Sequence, residues 1–352
     1  MPKTMKLAAG TAIAAVLALS GTAPALAQDS TTIAFLMPDQ ASTRYEEHDW
    51  PGFQSAMQEL CADCTLIYQN ANADIALQQQ QFNSAIAQGA TIIVLDPVDS
   101  AAAAALVEIA HSQDVKVIAY DRPIPDSPAD YYVSFDNEGI GYAIAQSLVE
   151  HLQATGVEEG AGVLQINGSP TDAAAGLIAD GISRAIEESP YEKLAEFDTP
   201  EWAPPRAQEW TAGQITRFGD DIKGIVAAND GTAGGAIAAL VSAGVDPLPP
   251  VTGNDATIAA LQLIIAGDQY NTISKPSEIV AKAAAEVAVT FMRGETPQAE
   301  TTLYDTPSQL FTPDVVTREN IKALIFDSGV QTADEVCTGE YASGCQELGI
   351  TN

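Results

Sequence analysis

Val115 to Glu138 reads VKVIAYDRPIPDSPADYYVSFDNE. A β-branched run, Val115 to Tyr120, stops at the charged doublet Asp121-Arg122, and a second run, Tyr131 to Phe135, stops at Asp136-Asn137. Short apolar runs bounded by Pro, Asp and Asn predict buried strands. Open α/β sheets take their ligands outside the carboxyl ends of the strands, so polar residues at two such ends are candidates to touch a small molecule. The stretch is expected to carry half of a ligand site and then to lead the chain into a second domain.

Working outward, the same alternation extends in both directions. Upstream, strands are predicted at Thr32 to Met37, Thr65 to Gln69 and Ala90 to Leu95. Helices are predicted at Pro51 to Leu60, at Asp74 to Gln88 and from an Asp99 N-cap through Ser112. Downstream, helices at Asn137 to Ala154, Asp172 to Glu188, Pro204 to Phe218, Thr232 to Ala243 and Ala256 to Ala266 alternate with strands. Those strands are Gly162 to Ile166, Leu194 to Phe197, Ile222 to Ala228 and Pro250 to Thr252. Right-handed crossovers wind such a βα series into a parallel sheet with helices on both faces. The fold class is therefore α/β, with two doubly wound parallel-sheet domains. No low-complexity linker separates the halves, so a hinge of several strand crossings is expected. Tyr270 to Ser274 leads through Lys275-Pro276 into a helix, Glu278 to Arg293, that returns to the first domain; Leu303 to Thr312 is a last crossing, and the tail from Asp314 begins as helix. The expected division is 1–27 as a leader, 28–134 with 276–305 as the N-terminal domain, 135–275 with 306–330 as the C-terminal domain, and 331–352 as a tail.

The leader is read from Lys3 and Lys6, an apolar run from Leu7 to Leu19, and Ala25-Leu26-Ala27 before Gln28. A basic start, a short apolar core and a small-residue A-x-A site make a secretory signal peptide. The formal charge of -32 disfavours nucleic acid and anionic lipid as partners. Cys61 with Cys64 and Cys337 with Cys345 are the four cysteines, and an oxidising compartment favours disulfides over zinc, for which the scattered His48, His111 and His151 offer no ligand cluster. Of the three possible pairings, the two local ones are favoured.

No G-x-S-x-G elbow, Walker loop or H-E-x-x-H motif is present, and the glycine-rich Gly231 to Gly235 lacks the lysine of a phosphate loop. It reads as close packing at a helix start. No enzyme activity, metal or cofactor is expected. What stands out instead is a set of polar groups at predicted strand ends: Arg44, Asp121-Arg122, Asp136-Asn137, Asp172, Asn229-Asp230, Asn254-Asp255 and Lys275. Carboxylates accept and Arg, Asn and Lys donate, so together they suit a ligand that presents only hydroxyls. Trp202 or Tyr45 could cover its apolar face. Singly, each group also fits a cap, as Asn137 and Asp230 do.

Eight ordered motifs then make a resemblance: AYDR (Ala119 to Arg122), YYVSFDNEGIG (Tyr131 to Gly141), NGSPTD (Asn167 to Asp172), EWAPPRA (Glu201 to Ala207), ANDGTAGGAIAAL (Ala228 to Leu240), TGNDA (Thr252 to Ala256), SKP (Ser274 to Pro276) and TPSQLFTP (Thr306 to Pro313). They resemble the D-xylose-binding periplasmic proteins, the soluble receptors of sugar ABC importers, over nearly the whole chain after the leader. The resemblance implies a type I periplasmic binding protein, a monomer in the periplasm that closes on a monosaccharide and is read by a membrane permease and by a chemoreceptor. It implies that Arg44, Asp121 and Arg122 bind sugar from the first domain, and Asn137, Asp172, Trp202, Asn229, Asp255 and Lys275 from the hinge and second domain. One departure is that Ala173-Ala174 stand where the family carries two asparagines, which leaves another pentose, a hexose or a polyol as alternative ligands. A carbohydrate-active enzyme using Asp121 and Asp255 as acid and base is the rival from another class. A repressor of the same fold is disfavoured, because its DNA-binding segment would occupy the place of the leader.

Overall fold

In the computed structural model the described residues are 1–2, 31–40 and 42–351, so the expected leader and its cleavage site lie outside them. The strands are Thr32–Met37 (β1), Thr65–Asn70 (β2), Ala90–Leu95 (β3), Lys116–Tyr120 (β4), Tyr131–Phe135 (β5), Gly162–Asn167 (β6), Glu192–Asp198 (β7), Ile222–Ala227 (β8), Asn271–Ser274 (β9), Thr301–Leu303 (β10), Thr306–Phe311 (β11) and Asp314–Thr317 (β12). Between and after them run Trp50–Leu60 (α1), Ile75–Ala87 (α2), Ala103–His111 (α3), Asn137–Ala154 (α4), Ala173–Glu187 (α5), Pro204–Phe218 (α6), Asp230–Ser242 (α7), Ile258–Ala266 (α8), Ser277–Met292 (α9), Ala333–Val336 (α10) and Ala342–Glu347 (α11).

The first sheet runs β10-β11-β5-β4-β3-β1-β2, parallel except for the antiparallel edge strand β10. Its central strands are apolar at consecutive positions because both faces are covered. Along β1, Ile33, Phe35 and Met37 pack with Phe53 and Met57 of α1, while Ala34 and Leu36 pack with Phe82 of α2 and Leu106 of α3. Phe35 lies 4.6 Å from the Phe53 ring and 5.1 Å from Tyr120, centroid to centroid. Truncating such a fully buried ring to alanine costs about 3–5 kcal/mol. The second sheet runs β7-β6-β8 in parallel, extended by a single bridge from Ile225 to Val251, and β9 and β12 form an antiparallel ribbon. Mixed α/β layers around parallel sheets are the architecture expected from sequence.

The chain passes from one sheet system to the other three times, after β5, after β9 and between β11 and β12. Helix α9 returns to the first sheet, packed closely on α1: a Cβ on Gly52 would lie 3.2 Å from the backbone of Glu278.

Several boundaries differ from expectation for tertiary reasons. Helix α3 begins at Ala103; Asp99 caps the turn before it, its Oδ1 accepting from Ala102 N at 2.8 Å. Pro250 to Thr252 makes only the Val251 bridge. Asp314 opens a strand rather than a helix, because Val315 and Val316 find Ile273 and Thr272 as partners. Thr306–Phe311 pairs with β5 in the first sheet, so the last crossing falls at Thr312-Pro313. Both local disulfides form: Cys61–Cys64 at the end of α1, and Cys337–Cys345 across the tail, which packs Val336, Cys345 and Ile350 onto Ile264 and Ile265 of α8. Among the described residues no helix is long and apolar enough to cross a membrane.

Candidate functional site

The carboxyl ends of β1, β4, β6, β8 and β9 all open on one cavity, which Arg44, Asp121, Arg122, Asn137, Asp172, Trp202, Asn229, Asp255 and Lys275 line together. All nine residues singled out from sequence therefore meet. The walls stand close, leaving a cavity of about 30 Å3.

The first-sheet wall is an ionic frame. Arg44 Nη2 lies 2.7 Å from Asp121 Oδ2, and Tyr45 donates its hydroxyl to the same oxygen at 3.2 Å. Burial opposes ionisation of Asp121, but Arg44, Lys275 and Arg122 outweigh it and hold its carboxyl well below the usual range. Arg122 follows Asp121 in the chain, yet its guanidinium turns the other way. Its Nη2 meets Asp39 at 2.7 Å and its Nε lies 3.2 Å from Asp172 and 3.5 Å from Asp96, while Nη1 donates to Pro97 O at 3.1 Å. Adjacent residues beyond a strand end point in different directions, and here the backbone enforces it: Asp121 has φ +57°. Its carbonyl oxygen is fixed by the hydroxyls of Tyr132 and Ser134, at 2.7 and 2.8 Å. Asp96 is fully buried behind Arg122, and burial lifts its carboxyl well above the usual range.

The second-sheet wall is made by helix starts. Asp172 caps α5, accepting from Ala174 N at 2.8 Å through Oδ1, while its Oδ2 accepts from Trp202 Nε1 at 3.0 Å. Burial raises the Asp172 carboxyl and Arg122 opposes the shift. The Trp202 ring lies flat enough on Gly168 that a Cβ there would come within 2.1 Å of the indole. Trp202 itself has φ +54°. Asn229 caps α7 through Thr232 N, and Asp255, at φ +109°, receives Lys275 Nζ at 3.3 Å. Lys275 also lies 3.8 Å from Asp121 Oδ1 and sits 5.4 Å from the centroid of Phe135. Left-handed backbone at three non-glycine site residues costs of order 1–2 kcal/mol each and is characteristic of functional positions.

Two of the polar groups seen in sequence serve structure. Asp136 caps α4 through Gly139 N, and Asp230 sits beneath the cavity, gathering Thr257, Thr272 and Gln269. Burial, then the Asp255 charge, push the Asp230 carboxyl up to about 7. The cavity also takes Ser42, Tyr45, Ala174, Ile178 and Asn254. Of these, Tyr45 was expected as a ring face but contributes its hydroxyl. Asn254 was noted only as part of a cluster; its Nδ2 donates to Ala228 O at 3.3 Å, while Oδ1 has no hydrogen-bond partner among the described residues. Ile178 lies one helical turn beyond Ala174, a spacing that could have revealed it.

A family profile described as periplasmic binding protein domain matches residues 33–296. The chain belongs to that family. Within it, the D-xylose-binding periplasmic protein of Escherichia coli is 34% identical over 276 residues, 76% of this chain and 82% of that protein. The multiple sugar-binding periplasmic receptor ChvE of Rhizobium radiobacter is 30% identical over 93% of this chain and 98% of its own length. Among solved structures, an ABC transporter solute-binding protein from Clostridium phytofermentans with bound β-D-glucose superposes with a TM-score of 0.79 at 26% identity, covering 87% of this chain and 100% of that one. The fold is accordingly that of the type I periplasmic binding proteins.

Proposed function

We propose that this chain is the soluble receptor of a sugar importer, which closes on one monosaccharide and presents the closed form to an ABC permease. D-xylose is the ligand put first, ahead of other pentoses, hexoses and polyols. The observation that carries the reading is the convergence of nine strand-end residues on one narrow cavity. Three cations, three carboxylates and two amides among them match a molecule that is hydroxylated on nearly every carbon. Relatives named for xylose and for multiple sugars support the same class.

In this reading the three chain crossings are a hinge between two lobes. The first is 28–134 with α9 and the strands through Phe311, and the second is the intervening chain with the segment from Asp314. Sugar bridges the walls, its hydroxyls replace water on both, and the closed state is selected by its greater affinity. Lys275, at the second crossing, touches Asp121 of one wall and Asp255 of the other, so it reports closure directly. We read the site as binding rather than catalytic because Asp121, the acid of a rival glycosidase scheme, is held ionised by Arg44 and has no proton to give. Export through the leader into the periplasm, action as a monomer and recognition by a chemoreceptor belong to the same proposal.

The test is a thermal-shift screen of residues 28–352 against D-xylose, L-arabinose, D-ribose, D-glucose, D-galactose and a set of polyols. A ligand of the folded state adds about 2.7 kcal/mol at a hundredfold excess over its dissociation constant. A raised midpoint with one or a few monosaccharides is expected; no shift with any compound overturns the proposal.

A further inference from the structure

We infer that Ser100, outside the cavity, is a positioning residue whose hydroxyl caps helix α5 of the opposite lobe, and that it sets how tightly every ligand is held without choosing among ligands. The inference rests on the sugar-receptor reading, in which Ser100 belongs to the first lobe and α5 to the second. Ser100 N donates to Thr171 O at 2.9 Å, and Ser100 Oγ accepts from Ala173 N at 3.1 Å. Thr171 Oγ1 adds a longer bond to Val98 O at 3.4 Å. Two adjacent amides at the start of α5 are thereby satisfied from different lobes: Ala174 N by Asp172 of its own lobe, and Ala173 N by Ser100. Val98, Ser100 and Thr171 do not line the cavity, so these bonds form without a ligand atom.

The segment that carries Ser100 is held ready for this contact. Gln78 of α2, 3% exposed, donates to Asp96 O and accepts from Val98 N, each at 2.8 Å, and Arg122 donates to Pro97 O at 3.1 Å. Opening the lobes returns Ser100 and Ala173 N to water, and closing pairs them again, so the clasp weighs on the balance between open and closed forms. When the binding form is a minor population, apparent affinity is reduced by that fraction, whichever ligand is bound. Removing a serine cap lowers the fraction by about fivefold, the usual worth of such a cap. Contacts inside the cavity are untouched, so the order of ligands stays as it was.

The experiment titrates D-xylose, L-arabinose, D-glucose and D-galactose calorimetrically into the wild-type chain and into Ser100→Ala, and unfolds both chains in urea without ligand. Every sugar that binds the wild type is expected to bind the variant about fivefold more weakly, with the ratios between sugars unchanged within about twofold. The urea midpoint of the ligand-free chain is expected to stay where it was, because the clasp is undone in the open form. Unchanged affinity, an altered order of sugars, or a ligand-free variant that unfolds at lower urea overturns the inference and leaves the receptor reading intact. A wild-type chain that binds none of the four overturns the receptor reading, and the inference with it.

Discussion

The two walls of the cavity are held by different physics. On the first-sheet side, Arg44 and Arg122 are locked among Asp39, Asp49, Asp96 and Asp121, all nearly or fully buried, so each charge depends on the others. On the second-sheet side, Asp172 and Asn229 are placed by helix caps that each satisfy a backbone amide, and Asp255 by bent backbone and the Lys275 ammonium. A buried ionic frame fails as a unit when one member is lost, whereas a capped wall loses its parts singly. The first wall is thus the fixed template, and the second can rearrange at smaller cost.

The sharpest way to break this contrast is Asp121→Asn. It strands the buried charges of Arg44 and Lys275, and urea unfolding is expected to show a loss of about 3–5 kcal/mol together with at least a hundredfold loss of sugar affinity. A variant as stable as the parent would mean that the frame is not cooperative. Next in size is the Cys337→Ala, Cys345→Ala pair, which touches neither wall. Opening that short loop is expected to cost about 2.5 kcal/mol of stability with affinity unchanged. Loss of binding at unchanged stability would tie the tail to the site.

Gly168→Ala probes the second wall alone. The added methyl displaces the Trp202 ring, for an expected cost of about 1–3 kcal/mol in stability and about tenfold in affinity, followed by tryptophan fluorescence and titration. The gentlest probe is pH. The Asp230 carboxyl sits at about 7 when folded and near 4 when unfolded, so between those values the folded chain holds a proton that the unfolded chain has released. Its contribution to stability therefore falls as pH rises from about 4 to 7, by about 1 kcal/mol per unit, and is level above. Comparing the wild type with Asp230→Asn across that range isolates it; parallel curves would place Asp230 outside the balance of the second wall.

The wound architecture and the cavity's polar members were legible because both rest on local pattern: apolar runs mark strands, and polar residues directly after them mark the binding edge. Asn137 to Ala154 and Pro204 to Phe218 emerged with the bounds read from sequence. Short pieces were not legible. Asp314–Thr317 is a strand only because β9 lies beside it, and Thr306–Phe311 joins the first sheet only through β5. Nor could sequence show that Arg44, not Arg122, makes the direct ion pair with Asp121, because that depends on the left-handed turn at Asp121. Asp39 and Asp96 escaped notice because a buried carboxylate is recognised by the cation it meets, and Arg122 lies far from both in the chain.

The most direct test is calorimetric titration of D-xylose into residues 28–352 and into Asp121→Asn at pH 7, with circular dichroism to establish that both are folded. One saturable site per chain in the wild type, and none in the folded variant, is the predicted result. Equal binding by both would place the sugar elsewhere, and a wild-type chain that takes up neither D-xylose nor any of the related monosaccharides would contradict the account.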